Sequence, residues 1–223
     1  MTAPLRLERD DPRYPASLRA LTDPPPTLWV RGTTPVTGAL AIVGTRAPSE
    51  RGRRAAALLT VEAVDRGWGT VAGLAAGVDE IVHESTLAAN GRSWAFIGDG
   101  VDAPELPALA ARLTATGGGI LSEQPPGTTA TTNSRRLRDR LQAASAAAVI
   151  VVEASDGCGT LHTVAAARRL GRPVILVRPD PEHPAASGSR ALAAALPDLV
   201  MVDADGGSSA RWERIDNVVS VRP

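Results

Sequence analysis

The chain has 223 residues, 43% hydrophobic and 22% charged, which suits one α/β domain with a substantial buried core and is short for two. Its 24 basic residues, every one an arginine, balance 24 acidic ones, so any contact with nucleic acid must rest on a local patch and not on net charge. A single cysteine excludes an internal disulfide. The N-terminus lacks the apolar run of a signal peptide and no stretch approaches the roughly 20 apolar residues of a membrane span, so a cytoplasmic protein free of the membrane is expected.

Residues 14–32 begin with a short helical piece, continue through three prolines that forbid helix, and end in an apolar "LWV". They belong to an expected N-terminal extension, 1–37, packed on a core at 38–202, with 203–223 as a C-terminal tail. From residue 39 onward short apolar runs alternate with amphipathic segments. The runs are 39–44, 69–73, 93–98, 119–123, 147–154, 173–177 and 199–202. Helical composition or spacing predicts helices over 49–66, 78–90, 104–116, 133–146 and 159–170. Apolar strands separated by helices predict a doubly wound, mostly parallel Rossmann-like sheet with helices on both faces.

In such a sheet ligands bind beyond the carboxyl ends of the strands, where the strand order reverses. The loops expected there are 43–52, 72–79, 97–102, 122–129 and 153–160, and four of the five carry glycine close to the strand end. Tight turns of this kind leave backbone N–H groups facing an anion at a helix N-terminus. Neither common nucleotide motif is present. The first loop, "GTRAPSERG", has glycine only at 44 and 52, and a lysine-free chain holds no G-x-x-x-x-G-K-[ST] loop.

Several side chains raise sharper possibilities. Arg46 follows the first core strand, where a guanidinium suits a phosphate. Arg135, Arg136, Arg138 and Arg140 fall on a segment whose Leu137, Leu141 and Ala144 share a helical face, a local basic excess fit to track phosphates. Glu123 and Glu153 end neighbouring strands, where carboxylates more often hold loop N–H groups or an arginine than act as acid and base. Cys158 and His162, four residues apart, present a thiol and an imidazole on one helix face. The glycines around Cys158 and the hydroxyl of Thr160 suit a backbone cradle for an anion better than a nucleophilic pair.

Taken together these loops resemble the DNA-processing protein A family (DprA, also called Smf). The resemblance is carried by residues 14–32, "VGTR" (43–46), "AGLAAGVDEIVH" (72–83), "GRSWAFIGDGVD" (91–102), "LSEQPPG" (121–127), "VVEASDGCGTLHTVAAARRLGRPVILV" (151–177) and "SGSRALAAALPDLV" (187–200), and so covers about residues 13 to 202. It implies a Rossmann-like domain that binds single-stranded DNA, usually as a homodimer, and delivers it to a RecA-type recombinase in recombination or natural transformation. The implied phosphate- or DNA-binding residues are Gly44, Thr45, Arg46, Gly73, Gly77, Gly98, Arg135, Arg138, Arg140, Gly157, Gly159 and Thr160, with no catalytic residue, metal or cofactor.

The chain departs from the family pattern in three places. The family's "FPxRNR" segment is matched only by Arg138, Asp139 and Arg140, without its phenylalanine and proline. Cys158, Thr160 and His162 stand where serine, serine and isoleucine are usual. Residues 203–223 are too few for the winged-helix module many members add, so a divergent or minimal member is expected. The alternative is a nucleotide phosphoribohydrolase of the LOG group, or a nucleotide-sensing module, using the same crevice. "DGCGTLHT" resembles that group's "PGGxGTxxE" loop, but Thr163 occupies the place of its glutamate.

Overall fold

A computed structural model describes residues 3–35 and 38–219. Its strands are β1 (Leu5–Glu8), β2 (Thr27–Gly32), β3 (Ala39–Val43), β4 (Gly69–Ala72), β5 (Ser93–Phe96), β6 (Gly119–Ser122), β7 (Val149–Val151), β8 (Val174–Val177) and β9 (Val200–Val202). They form one sheet in the order β1-β2-β6-β5-β4-β3-β7-β8-β9. Every pair from β6 to β9 is parallel, and β1 and β2 are antiparallel additions at one edge. The doubly wound, mostly parallel architecture read from the sequence is the one the chain adopts.

The helices are α1 (Ala16–Arg19), α2 (Glu50–Asp65), α3 (Val78–Ala88), α4 (Ala108–Ala115), α5 (Thr132–Leu137), α6 (Asp139–Ser145), α7 (Thr160–Arg169), α8 (Ser187–Ala195) and α9 (Ser208–Asp216). Alternation along each strand divides the core between two faces. On β3, Leu40 and Ile42 join Ala56 and Leu59 of α2, Val78 and Val82 of α3, and Trp212 and Ile215 of α9. Ala39, Ala41 and Val43 point the other way, toward Leu18 of α1, Leu141 of α6 and Val164 of α7. Burying both faces explains why the strands read as unbroken apolar runs. Among the described residues no helix is long and apolar enough to cross a membrane.

Three segments differ from expectation. The "LWV" run is the heart of β2, whose Trp29 and Val30 pair with Ser122 and Leu121, so the N-terminal segment continues the core sheet. The extension's expected end at residue 37 lies outside the described residues. The single helix expected over 133–146 is two, divided by Arg138, which keeps helical angles (φ −65°, ψ −20°) between α5 and α6. Residues 203–219, expected as a tail, carry α9, whose buried Arg211 and Trp212 both donate to Glu62 of α2.

A candidate nucleic-acid interface at the sheet's switch point

The chain runs outward from β3 through β4 and β5 to β6, then returns to β7 on the other side of β3. A cleft of about 550 Å³ opens beyond the carboxyl ends of β3 and β7, where that reversal predicts it. Gly44, Thr45, Arg46, Arg135, Arg136, Arg138, Gly157, Gly159 and Thr160 line it together with Asp79, Asp139, Gln142 and His162. A second pocket of about 400 Å³ adjoins it, sharing Arg46, Ala75, Arg135 and Arg138 as a common wall and adding Gly98, Phe96, Ile97 and Leu106.

Local structure explains how these groups meet. The Thr131 hydroxyl accepts from Ser134 N at 3.0 Å and the Ser134 hydroxyl accepts from Thr131 N at 2.9 Å, a reciprocal cap that starts α5. Just before it, Ala130 N donates to Asp99 Oδ1 at 2.9 Å, tying the helix to the β5 loop. A Cβ on Gly98 would stand 2.8 Å from Arg135 N, so α5 leans directly on that glycine. These restraints turn Arg135 and Arg136 toward the cleft. Both are exposed, as is Arg46, and none of the three side chains has a hydrogen bond or ion pair among the described residues.

Gly77 and Gly73 line neither pocket, and both are packed tightly against groups that do. Gly77 has φ +87°, and a Cβ there would meet the Arg46 carbonyl oxygen at 2.5 Å, so only glycine lets the β4–α3 turn lie under Arg46. At Gly73 a Cβ would overlap both the Arg138 guanidinium and the Asp79 carboxylate. Its carbonyl accepts from Nε2 of His83 at 2.5 Å, which leaves Nδ1 to accept from the Ser93 hydroxyl at 2.7 Å. His83 is wholly buried, and burial holds its pKa below the ordinary imidazole range. It is a neutral brace for the strand end.

At the other lip, Cys158 N donates to Ser155 O at 3.3 Å, whereas the N–H groups of Gly157, Gly159 and Thr160 have no protein acceptor among the described residues. They face the cleft at the start of α7, whose dipole adds to their pull on an anion. Glu153 accepts from Ser49 N and Ser49 Oγ, each at 2.7 Å, and so anchors the start of α2.

Arg140 lies outside both pockets. Its guanidinium grips Glu123 through two bonds of 2.9 and 2.8 Å and donates to the Asp23 carbonyl, pinning the N-terminal segment to the core. The even stripe of arginines expected along 135–140 is therefore divided. Arg138 stays in the cleft, 3.4 Å from Asp139 and 3.9 Å from Asp79. Both separations exceed the 2.7–2.9 Å of a charge-assisted hydrogen bond, so its donors are not consumed. Asp79 and Asp139 escaped sequence reasoning. The Asp–Arg–Asp order along 79, 138 and 139 exists only in space, and the one local signal was Asp139 lying between two arginines. Among the described residues no three His, Cys, Asp or Glu side chains gather in a way that holds a metal ion.

Fold and cleft together define a Rossmann-like protein with a basic, backbone-lined crevice at its switch point. The chain belongs to the DNA recombination-mediator protein A family, whose model matches residues 6–205. Protein Smf of Synechocystis sp. is 35% identical over 197 residues, 83% of this chain and 48% of that protein. The chain spans about half the length of the curated relatives it matches first. The X-ray structure of DNA processing protein A from Streptococcus pneumoniae aligns with a TM-score of 0.79 and 27% identity, over 89% of this chain and 70% of that one. DNA processing protein A from Helicobacter pylori, a structure concerned with its single-stranded DNA binding mode, aligns with a TM-score of 0.80 over 96% of this chain and 97% of that one. At 22% identity that likeness is one of fold.

Proposed function

We propose that this chain binds single-stranded DNA in the switch-point cleft, holding the backbone by charge and N–H groups without turning it over. One observation carries the reading: Arg46, Arg135 and Arg136, whose side chains make no hydrogen bond or ion pair among the described residues, line one cleft with Gly157, Gly159 and Thr160, whose N–H groups have no protein acceptor among those residues. Four guanidinium groups, counting Arg138, face two carboxylates there, a local positive excess in a chain of zero net charge. The adjoining pocket sets Leu74, Leu106 and Pro107 beside Arg135, together with Asp99 and Glu105, next to the phosphate site. A single strand presents unpaired bases to such a surface, whereas a duplex keeps its bases stacked inside. The family membership and the single-strand binding described for the Helicobacter pylori protein support the same reading.

The absence of turnover rests on what the cleft's acids are doing. Thr163 stands where a nucleotide hydrolase of the LOG type carries glutamate, and Asp79 and Asp139 are drawn to Arg138. Delivery of the strand to a RecA-type recombinase, action as a homodimer and a place in DNA uptake or recombination complete the proposal by likeness to the family.

The test is fluorescence anisotropy with labelled single-stranded and duplex oligonucleotides at low and moderate salt, repeated with Arg46→Ala and Arg135→Ala. Preferential single-strand binding that weakens in both variants is expected. No single-strand binding at low salt, or release of a free base from a nucleoside monophosphate, overturns it.

A further inference from the structure

The floor of the cleft holds more negative charge than its one arginine neutralises. Asp79, at the start of α3, and Asp139, at the start of α6, flank the Arg138 guanidinium, and the three side chains are only 10%, 8% and 13% exposed. Two carboxylates against one guanidinium leave one negative charge at the base of a cleft whose rim attracts anions. A phosphodiester drawn in by Arg46 and Arg135 must approach that charge or see it neutralised.

We propose that Asp139 takes up a proton when a phosphodiester enters the cleft, so that anion binding and protonation of the Asp79–Arg138–Asp139 cluster are a single linked event. The inference rests on the binding reading above and adds its regulation. Once Asp139 is neutral, Arg138 balances Asp79 alone, and its unconsumed N–H donors are released to the phosphate. The proton comes from solvent and no bond is broken. Burial pushes the Asp139 pKa up, and Asp79 pushes it further while Arg138 and Arg46 pull it down, leaving it at about 6. Burial likewise raises Asp79, which Arg138 opposes.

The surroundings of Asp139 contain few rivals for this proton. The β3–α2 loop contributes Arg46, α3 contributes Asp79 with His83 behind it, and α5 contributes Arg135 and Arg136. The β7–α7 loop contributes Cys158 and α7 contributes His162, while β3, β4, β5 and α1 turn apolar side chains such as Val43, Val71, Phe96 and Leu18 toward α6. His162 is thus the control residue. The phosphodiester and thymine keep their charge over the same pH range.

The linkage has a definite sign. A bound anion raises the Asp139 pKa above its value in the free protein, so affinity is full below about pH 6 and falls above it, by at most about tenfold per unit. The test is calorimetric and anisotropy titration of the intact chain with oligothymidylate from about pH 5.5 to 8, in buffers of unlike ionisation enthalpy. The wild type is expected to take up a larger fraction of a proton above about pH 6.5 than near the acid end, where Asp139 is already mostly protonated, and to bind about tenfold more weakly at the alkaline end. Asp139→Asn, which leaves Asp79 paired one-to-one with Arg138, should bind with no proton uptake and a flat pH profile, while His162→Asn, whatever its affinity, keeps the proton uptake and its dependence on pH. Wild-type binding without proton uptake, or uptake retained by Asp139→Asn, overturns the linkage and leaves the binding reading intact. No binding at any pH overturns the binding reading itself, and the linkage falls with it. If Asp139→Asn fails to fold, His162→Asn decides the matter: proton uptake retained by that variant supports the linkage, and uptake lost with the imidazole overturns it.

Discussion

Arg138 and Arg140 lie two residues apart and meet different partners. Arg140 spends its donors on Glu123 at 2.8–2.9 Å, while Arg138 rests against two carboxylates at distances too long for strong hydrogen bonds. Arg140→Ala should therefore lower stability by about 2 kcal/mol, between the values for exposed and buried pairs, and leave single-strand affinity within about twofold, as read by urea unfolding and anisotropy. Gly73→Ala should do the reverse in kind: its Cβ displaces the Arg138 guanidinium, so DNA affinity falls severalfold. Asp139 carries a stability cost. Its pKa is 3.8 in the ordinary case and about 6 here, so the native state holds the proton more tightly and loses stability as pH rises between those values. Asp139→Asn should stabilise the fold at pH 7 by on the order of 1–3 kcal/mol, and the gain should vanish below about pH 4 in thermal melts across pH. The sequence shows that arginines cluster at 135–140. Which of them faces the cleft depends on Glu123 and Asp79, residues brought in from other strands' ends.

At the scale of elements, the parallel strands were legible because burial on both faces makes each a short apolar run, and the helices between them because one face alone is apolar. What hid was long-range. β2 reads as a fragment after three prolines, and becomes a strand because β6 offers it a free edge. Helix α9 has few apolar residues, Trp212 and Ile215 being the buried ones. Its docking comes from Glu62 on α2, which accepts from Arg211 at 3.0 Å and from Trp212 at 2.8 Å while Arg66 lies 4.5 Å over the indole. Burial pushes Glu62 up, but the bonds from Arg211, Trp212 and Ser208 outweigh it and hold its pKa below the ordinary 4.5. A depressed carboxylate contributes stability above its unfolded pKa and loses it as pH falls through the lower folded value, so α9 should loosen first in acid. Trp212→Ala should cost about 3–5 kcal/mol in urea unfolding, as expected for a wholly buried indole.

For the whole molecule, the zero net charge would argue against DNA if charge were evenly spread. The fold concentrates it: loops separated by about a hundred residues put Arg46, Arg135, Arg136 and Arg138 around one cleft, while Arg140 and Arg211 are spent on internal carboxylates. Of the glycines in the strand-end loops, Gly44, Gly157 and Gly159 line that cleft and Gly73 and Gly77 do not, while Cys158 and His162 are two side chains of its lining. The account stands or falls on whether these arginines meet phosphates. The most direct measurement is the salt dependence of oligothymidylate affinity for the wild type and for Arg46→Ala, Arg135→Ala and Arg136→Ala combined. Each phosphate contact on a single strand contributes about −0.7 to the slope of log affinity against log salt. The triple variant should therefore bind more weakly with a slope shallower by about 2. A slope equal to that of the wild type would contradict the account, because the strand would then be held somewhere other than this cleft.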